Sequence, residues 1–333
     1  MIFIRVDGAN IEGIGTGHLY RMMFLADRIY KKTNISPMFV ISGYQETIDI
    51  LKRNNLKYIE INNKYEKREI LKLSSSFRKD ILIIDMMDRD ENLIKKLVEK
   101  YIVISFDDTE GGAKYSDIIF NSLASKPLDR ENYFYGHEYF FIRQEIAKYN
   151  KKHKKINSSV KNLLISLGAS DPCSVNLMMI EWLKDLDYSG KIKWVLGSAV
   201  KEKNLIIERI KKLNLDIMPI IDYKDMGKLY YHADLCVCAA GFSLYEIACV
   251  GLPAVSISVY LHQTKNVRRF EENGSIYNLG YLKEIKESDV KNALYRLLCD
   301  QSQRSSMSKK GKTYVDGLGV ERVMGKINQL THL

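Results

Sequence analysis

The sequence predicts an α/β protein made of two Rossmann-like, doubly wound domains facing a central cleft. Three observations predict it. Short β-branched runs alternate with helical patterns, the alternation stops in a basic hydrophilic segment, and beyond that segment it starts again.

The first series opens with IFIRV at 2–6, a helical pattern from 18 to 32, MFVIS at 38–42 and a second helical pattern over 44–54. It continues through ILIID at 81–85, a helix over 90–99, IVISFDD at 102–108 and SDIIFNS at 116–122. Near-continuous apolar runs of this kind suit parallel strands buried on both faces. The stretch AKYNKKHKKINSSVKN at 147–162 is almost free of core residues, so a solvated linker is expected over 149–161, between domains at 1–148 and 162–333. The rhythm restarts with LLISLG at 163–168, IKWVLG at 192–197, DIMPII at 216–221, DLCVCAAG at 234–241 and PAVSIS at 253–258. The last helix is expected to pack back on the first domain.

With 333 residues the chain can fill two ordinary cores. Its five cysteines, at 173, 236, 238, 249 and 299, show no paired metal-ligand spacing, and a reducing cytoplasm is the expected location. Cys236 and Cys238 alternate along one strand and read as core. The formal charge of +10 is spread over most helices without interleaved aromatics, so no nucleic-acid partner is expected. A polyanionic small ligand, or loose peripheral contact with an acidic membrane surface, both suit that charge. No membrane span is expected, because the apolar region 244–260 is interrupted by Glu246, Gly251 and Pro253. The opening MIFIRVDG has no basic leader and reads as a strand, not a signal peptide.

Four segments carry candidate chemistry. The loop Asp7 to His18 holds Gly13, Gly15 and Gly17 and runs straight into a helix, so His18 opens that helix at the carboxyl edge of the sheet. The positive helix N-terminus tends to keep an imidazole neutral and able to act as a base. The loop fails as a dinucleotide fingerprint: the spacing is G-x-G-x-G, and Ser42 and Gly43, not an acid, follow the second strand. In AAGFSLYEIACVGLP at 239–253, amides around Ala240, Gly241, Ser243 and Leu244 could cradle a diphosphate, while Glu246 accepts from a ribose diol or merely complements the helix dipole. In LHQTKN, Gln263 and Asn266 share a helical face and are either ligand-binding or capping residues. The turn LGASDP places Gly168, Ala169 and Ser170 at a strand end, where Ser170 or Asp171 could equally be an ordinary helix cap. Asp88 and Asp90 look like caps rather than a metal-binding pair, whereas Asp107 and Asp108 end a strand and stay open as functional carboxylates.

Taken together, Arg5 and Asp7 in R-x-D, IGTGHLYR from Ile14 to Arg21, FDD at 106–108, Asn121 and YGHEYFFIRQE at 135–145 resemble the pseudaminic-acid-pathway UDP-sugar hydrolases. GFSLYEIACVGLP with HQTKN is similar to the nucleotide-sugar site of the lipid II glycosyltransferase MurG, a GT-B enzyme. The resemblance implies a GT-B-like fold and no metal or other cofactor. It also implies inverting cleavage of a UDP-2,4-diacetamido-2,4,6-trideoxyhexose by water that His18 activates, with Arg5, Asp7, Gly15, Gly17, Arg21, Asp107 and Asn121 on the sugar side. The sequence departs from the hydrolase pattern at Met86 and Met87, where a tyrosine is common, and at Phe242, where a small hydroxyl residue is usual. An inverting glycosyltransferase of the same architecture is the alternative, and a non-catalytic nucleotide-sugar binder the third reading. Oligomeric state is not encoded in any pattern of the sequence.

Overall fold

The computed structural model describes every residue except 10–15, 75–78, 87–88, 109–110, 125, 127, 172 and 332–333. The chain divides into two compact units, Met1–Phe141 with Leu318–Leu333, and Ile142–Gly317. The basic stretch 149–161, expected as a linker, falls within the second unit.

Unit one alternates β1 (Ile2–Val6), α1 (Gly17–Thr33), β2 (Met38–Ser42), α2 (Gln45–Arg53), β3 (Tyr58–Ile61), α3 (Glu66–Leu73), β4 (Asp80–Asp85), α4 (Glu91–Leu97), β5 (Tyr101–Phe106), β6 (Ile118–Asn121) and β7 (Tyr133–Tyr135). The strands form one parallel sheet in the order β3-β2-β1-β4-β5-β6-β7. Every residue of β1 and β4 is buried, as central parallel strands covered by helices require. The order reverses between β1 and β4, so the carboxyl ends of these two strands form the switch point at which ligands of doubly wound sheets settle.

Unit two contains α5 (Gln144–Ala147), β8 (Asn162–Ser166), α6 (Val175–Trp182), β9 (Lys191–Leu196), α7 (Lys203–Ile210), β10 (Asp216–Ile221), α8 (Met226–His232), β11 (Leu235–Ala239), α9 (Ser243–Val250), β12 (Ala254–Ser258), α10 (Gln263–Asn273), β13 (Tyr277–Tyr281), α11 (Glu287–Cys299) and α12 (Gln301–Tyr314). Its parallel sheet runs β10-β9-β8-β11-β12-β13, with the same reversal between β8 and β11. One face packs Trp194, Val237, Val255 and Ile257 against α6, α7 and α11. The other carries Cys236 and Cys238, both fully buried, beneath α9.

The final helix, α13 (Gly319–Thr331), belongs to unit one, where Val320, Val323, Met324 and Ile327 join the core of α1 and β1. No backbone gap is left for a side chain at Gly319, where a Cβ would stand 2.1 Å from the Phe140 carbonyl oxygen.

Candidate active site

In unit one the chemistry gathers at the switch point. His18 is the second residue of α1, and its Nδ1 lies 2.7 Å from Asp85 Oδ1 at the end of β4. Arg21, one turn further along α1, grips the same carboxylate with Nε at 2.8 Å and Nη2 at 2.5 Å, and donates through Nη1 to Asp107. Asp107 in turn accepts from the Ser122 amide at 2.7 Å. It adopts φ +48°, a left-handed conformation uncommon outside glycine, which is the kind of local strain that collects at functional sites.

Burial pushes the Asp85 carboxyl upward, but the Arg21 charge and hydrogen bonds from His18 and Arg21 outweigh it and hold the group below its ordinary value. For Arg21, burial works against the charge while Asp107 and Asp85 together raise it. Asp85 is therefore a carboxylate, which makes it an acceptor only and puts the imidazole proton on Nδ1. Nε2 is left as the basic nitrogen, on a side chain that is 29% exposed. A base must be both reachable and in the right tautomer, and His18 satisfies both conditions.

The other expected sugar-side residues fare differently. Arg5 is 1% exposed and its donors are spent on Glu66, Val40, Ser42, Asn63 and Asp7. Asp7 accepts from the Ser42 amide and hydroxyl, both at 2.7 Å. The R-x-D pair thus ties the ends of β1 and β2 to residues 63–66 and does not offer itself to a ligand. Asn121 is 5% exposed at the end of β6. It borders a recess of about 420 Å³ that Asp108, Leu128 and Tyr133 also line. Gly17 is the first residue of α1, while Gly15 and Met87 lie outside the described residues. Asp90 caps α4 by accepting from the Leu93 amide at 3.0 Å; Asp88 is also outside the described residues. Among the described residues no group of His, Cys, Asp or Glu is placed to hold a metal ion.

In unit two a recess of about 320 Å³ opens at the carboxyl ends of β8 and β9, lined by Gly168, Ala169, Gly197, Asp222, Tyr223, Met226, Tyr230 and Ser243 among others. Gly168 has φ +113°, and a Cβ on Gly197 would meet the Ala169 backbone at 2.5 Å. Two glycines therefore let the loops after β8 and β9 lie against each other. Gly241 faces open space instead, so nothing in the fold itself demands its lack of a side chain. Ser170 is exposed, and Asp171, not Ser170, takes the capping role by accepting from the amides of Val175 at 2.7 Å and Asn176 at 3.0 Å.

Two expected phosphate contacts are corrected here. Ala240 is 1% exposed and its amide donates to the Ile257 carbonyl, while Leu244 is fully buried with its amide on the Gly241 carbonyl. Ser243, at the start of α9, is the residue of that turn which reaches the recess. Gln263 Oε1 accepts from the amides of Val259 and Tyr260, and Asn266 Oδ1 from the Tyr245 hydroxyl at 2.7 Å, so both brace the start of α10. Glu246, in the first turn of α9, pairs with Arg143 at 3.0 Å.

Sequence reasoning missed Asp85, Gly197, Tyr223 and Met226. Asp85 had a readable signal, since it is the charge that closes the apolar run 81–84 of a central strand. Tyr223 and Met226 had none, because Tyr223 follows an edge strand in a loop without a motif and Met226 merely opens the short helix α8.

Residues 166–318 match the model of the glycosyltransferase family 28 C-terminal domain. The Bacillus subtilis spore coat polysaccharide biosynthesis protein SpsG is 26% identical over 95% of both chains. An uncharacterised Methanocaldococcus jannaschii protein, MJ1062, is 28% identical over 87% of this chain, which spans only 60% of that relative's length. Among solved structures, Acinetobacter baumannii MurG superposes with a TM-score of 0.74 at 15% identity, covering 98% of this chain and 99% of its own. Anabaena Alr3699/HepE, solved in complex with UDP-glucose, gives 0.60 at 10% identity over the whole of both chains. The fold is GT-B. Among the described residues no helix is long and apolar enough to cross a membrane.

Proposed function

We propose that the chain is an inverting glycosyl-transfer enzyme that uses a nucleotide-activated sugar, UDP-linked in the leading case, with unit two holding the nucleotide and unit one supplying the base. The observation that carries this reading is the His18–Asp85–Arg21 cluster at the switch point of unit one. The match of residues 166–318 to a glycosyltransferase domain supports the nucleotide half.

In the proposed step His18 Nε2 removes the proton from an acceptor hydroxyl or amine as its oxygen or nitrogen attacks the anomeric carbon. The bond from that carbon to the diphosphate oxygen breaks with its electron pair, releasing the nucleoside diphosphate and inverting the centre. The imidazolium formed is stabilised by Asp85, which stays ionised, as in other acid–base pairs of this geometry. The recess with Gly168, Gly197 and Ser243 takes the nucleotide, with the α9 N-terminus favouring the charge that develops on the leaving group.

A second reading keeps every role and replaces the acceptor by water. It is favoured by the likeness of Ile14 to Arg21 to the pseudaminic-acid-pathway hydrolases, and it makes the product a free 2,4-diacetamido sugar. Incubating the protein with UDP-, GDP- and CMP-activated amino sugars, with and without added acceptors, separates the two. Nucleotide release that requires an acceptor is the expected result; release in water alone establishes the hydrolase. Nucleotide-sugar binding without turnover under either condition would overturn both and leave a binding protein.

A further inference from the structure

Glu246 carries two opposing requirements. Its side chain is 18% exposed, burial pushes its carboxyl above the ordinary value, and Glu145 adds a like charge nearby. Yet accepting from both hydroxyls of a ribose needs a carboxylate, because the protonated acid has turned one oxygen into a donor. Arg143 resolves the conflict. Its Nε and Nη2 both stand 3.0 Å from the same oxygen, Oε1, so the guanidinium supplies charge without occupying Oε2. The buried Tyr230 hydroxyl lies beside the same carboxyl and favours its ionised form, and Tyr230 lines the glycine-bordered recess. Glu246 is therefore held by Arg143 and linked through Tyr230 to the recess.

We infer that Arg143 is a positioning residue for nucleotide recognition: it fixes Glu246 through one oxygen so that the other accepts the hydroxyls of a ribose bound at the recess. The inference rests on the reading that unit two holds a UDP-type nucleotide. A surface ion pair without this role would be worth little and would leave ligand binding unchanged.

The test is calorimetric titration of UDP and of 2′,3′-dideoxy-UDP into the wild-type chain, Arg143→Met and Arg143→Lys, from acidic to neutral pH. Arg143 is 46% exposed, so neither change disturbs a core. Arg143→Met is expected to weaken UDP about tenfold, the scale of a hydrogen bond to a charged group, with a larger loss at acidic pH as Glu246 protonates. Arg143→Lys restores part of the affinity, and dideoxy-UDP binds all three alike. Wild-type affinity and an unchanged pH profile in Arg143→Met would overturn the inference, as would an equal loss for UDP and its dideoxy analogue. Failure of the wild type to bind UDP removes the nucleotide reading and this inference together, whereas binding by the wild type that Arg143→Met retains removes the inference alone.

Discussion

The two sheets share a topology, yet their carboxyl edges are furnished in opposite ways. Unit one brings together an imidazole, a guanidinium and two carboxylates from α1, β4 and the end of β5, linked by short charged hydrogen bonds. Unit two offers glycines, backbone, Ser243, two tyrosines and Asp222 around its recess, with the ion-paired Glu246 outside that lining. A buried charge cluster is costly unless its members satisfy one another, and it then fixes protons and orientation. A glycine-bordered recess fixes shape. Substitutions in unit one should therefore act on rate and those in unit two on affinity.

His18→Ala should have the largest effect, lowering turnover by roughly 10²- to 10⁴-fold, as expected for loss of a general base. Asp85→Asn should follow, at about 10²-fold or more, because an amide can present its NH₂ to Nδ1 and stabilise the wrong tautomer. The same variant sharpens the comparison through pH. The Asp85 carboxyl is held below its ordinary value in the folded chain, so its stabilising contribution is complete above the unfolded carboxyl value near 4 and is lost as pH falls through the lower folded one. Acid denaturation of the wild type should carry this contribution and Asp85→Asn should lack it; superimposable acid melts would detach Asp85 from the cluster. Glu246→Ala should cost about tenfold in UDP affinity with little change in rate at saturation, and the reverse pattern would break the division of labour.

The smallest effect on catalysis belongs to Lys154. Its Nζ donates to the carbonyls of Tyr230, Tyr231 and Ala233 at the end of α8, and burial pulls its ammonium down to about 8. Lys154→Met should lower stability by roughly 1–3 kcal/mol, the cost of leaving buried carbonyls unmatched, with turnover unchanged. A thermal melt and a rate on the same sample check both halves.

Much of this fold was legible because its central strands are apolar runs that no other element explains. The strands that sequence reading omitted are β3, β7 and β13, all near or at sheet edges, where half-buried residues such as Tyr58, Tyr133 and Tyr277 blur the pattern. Within KKHKK, Lys154 is buried, a position composition could not distinguish from its exposed neighbours. His18 was visible from its place between a glycine loop and a helix. Asp85 was marked only as a charge at a strand end, and its partnership with His18 was not legible, because only the β1–β4 pairing brings position 85 beside the start of α1. For Arg5 on β1 and Asp7 just beyond it, the sequence could not show that Ser42, Asn63 and Glu66 engage them.

Chemistry and nucleotide recognition should be separable in this chain, and UDP binding by His18→Ala measures that separation. The dissociation constant is expected to stay within about twofold of wild type in a protein whose turnover has collapsed. Loss of UDP affinity in parallel with rate would contradict that separation.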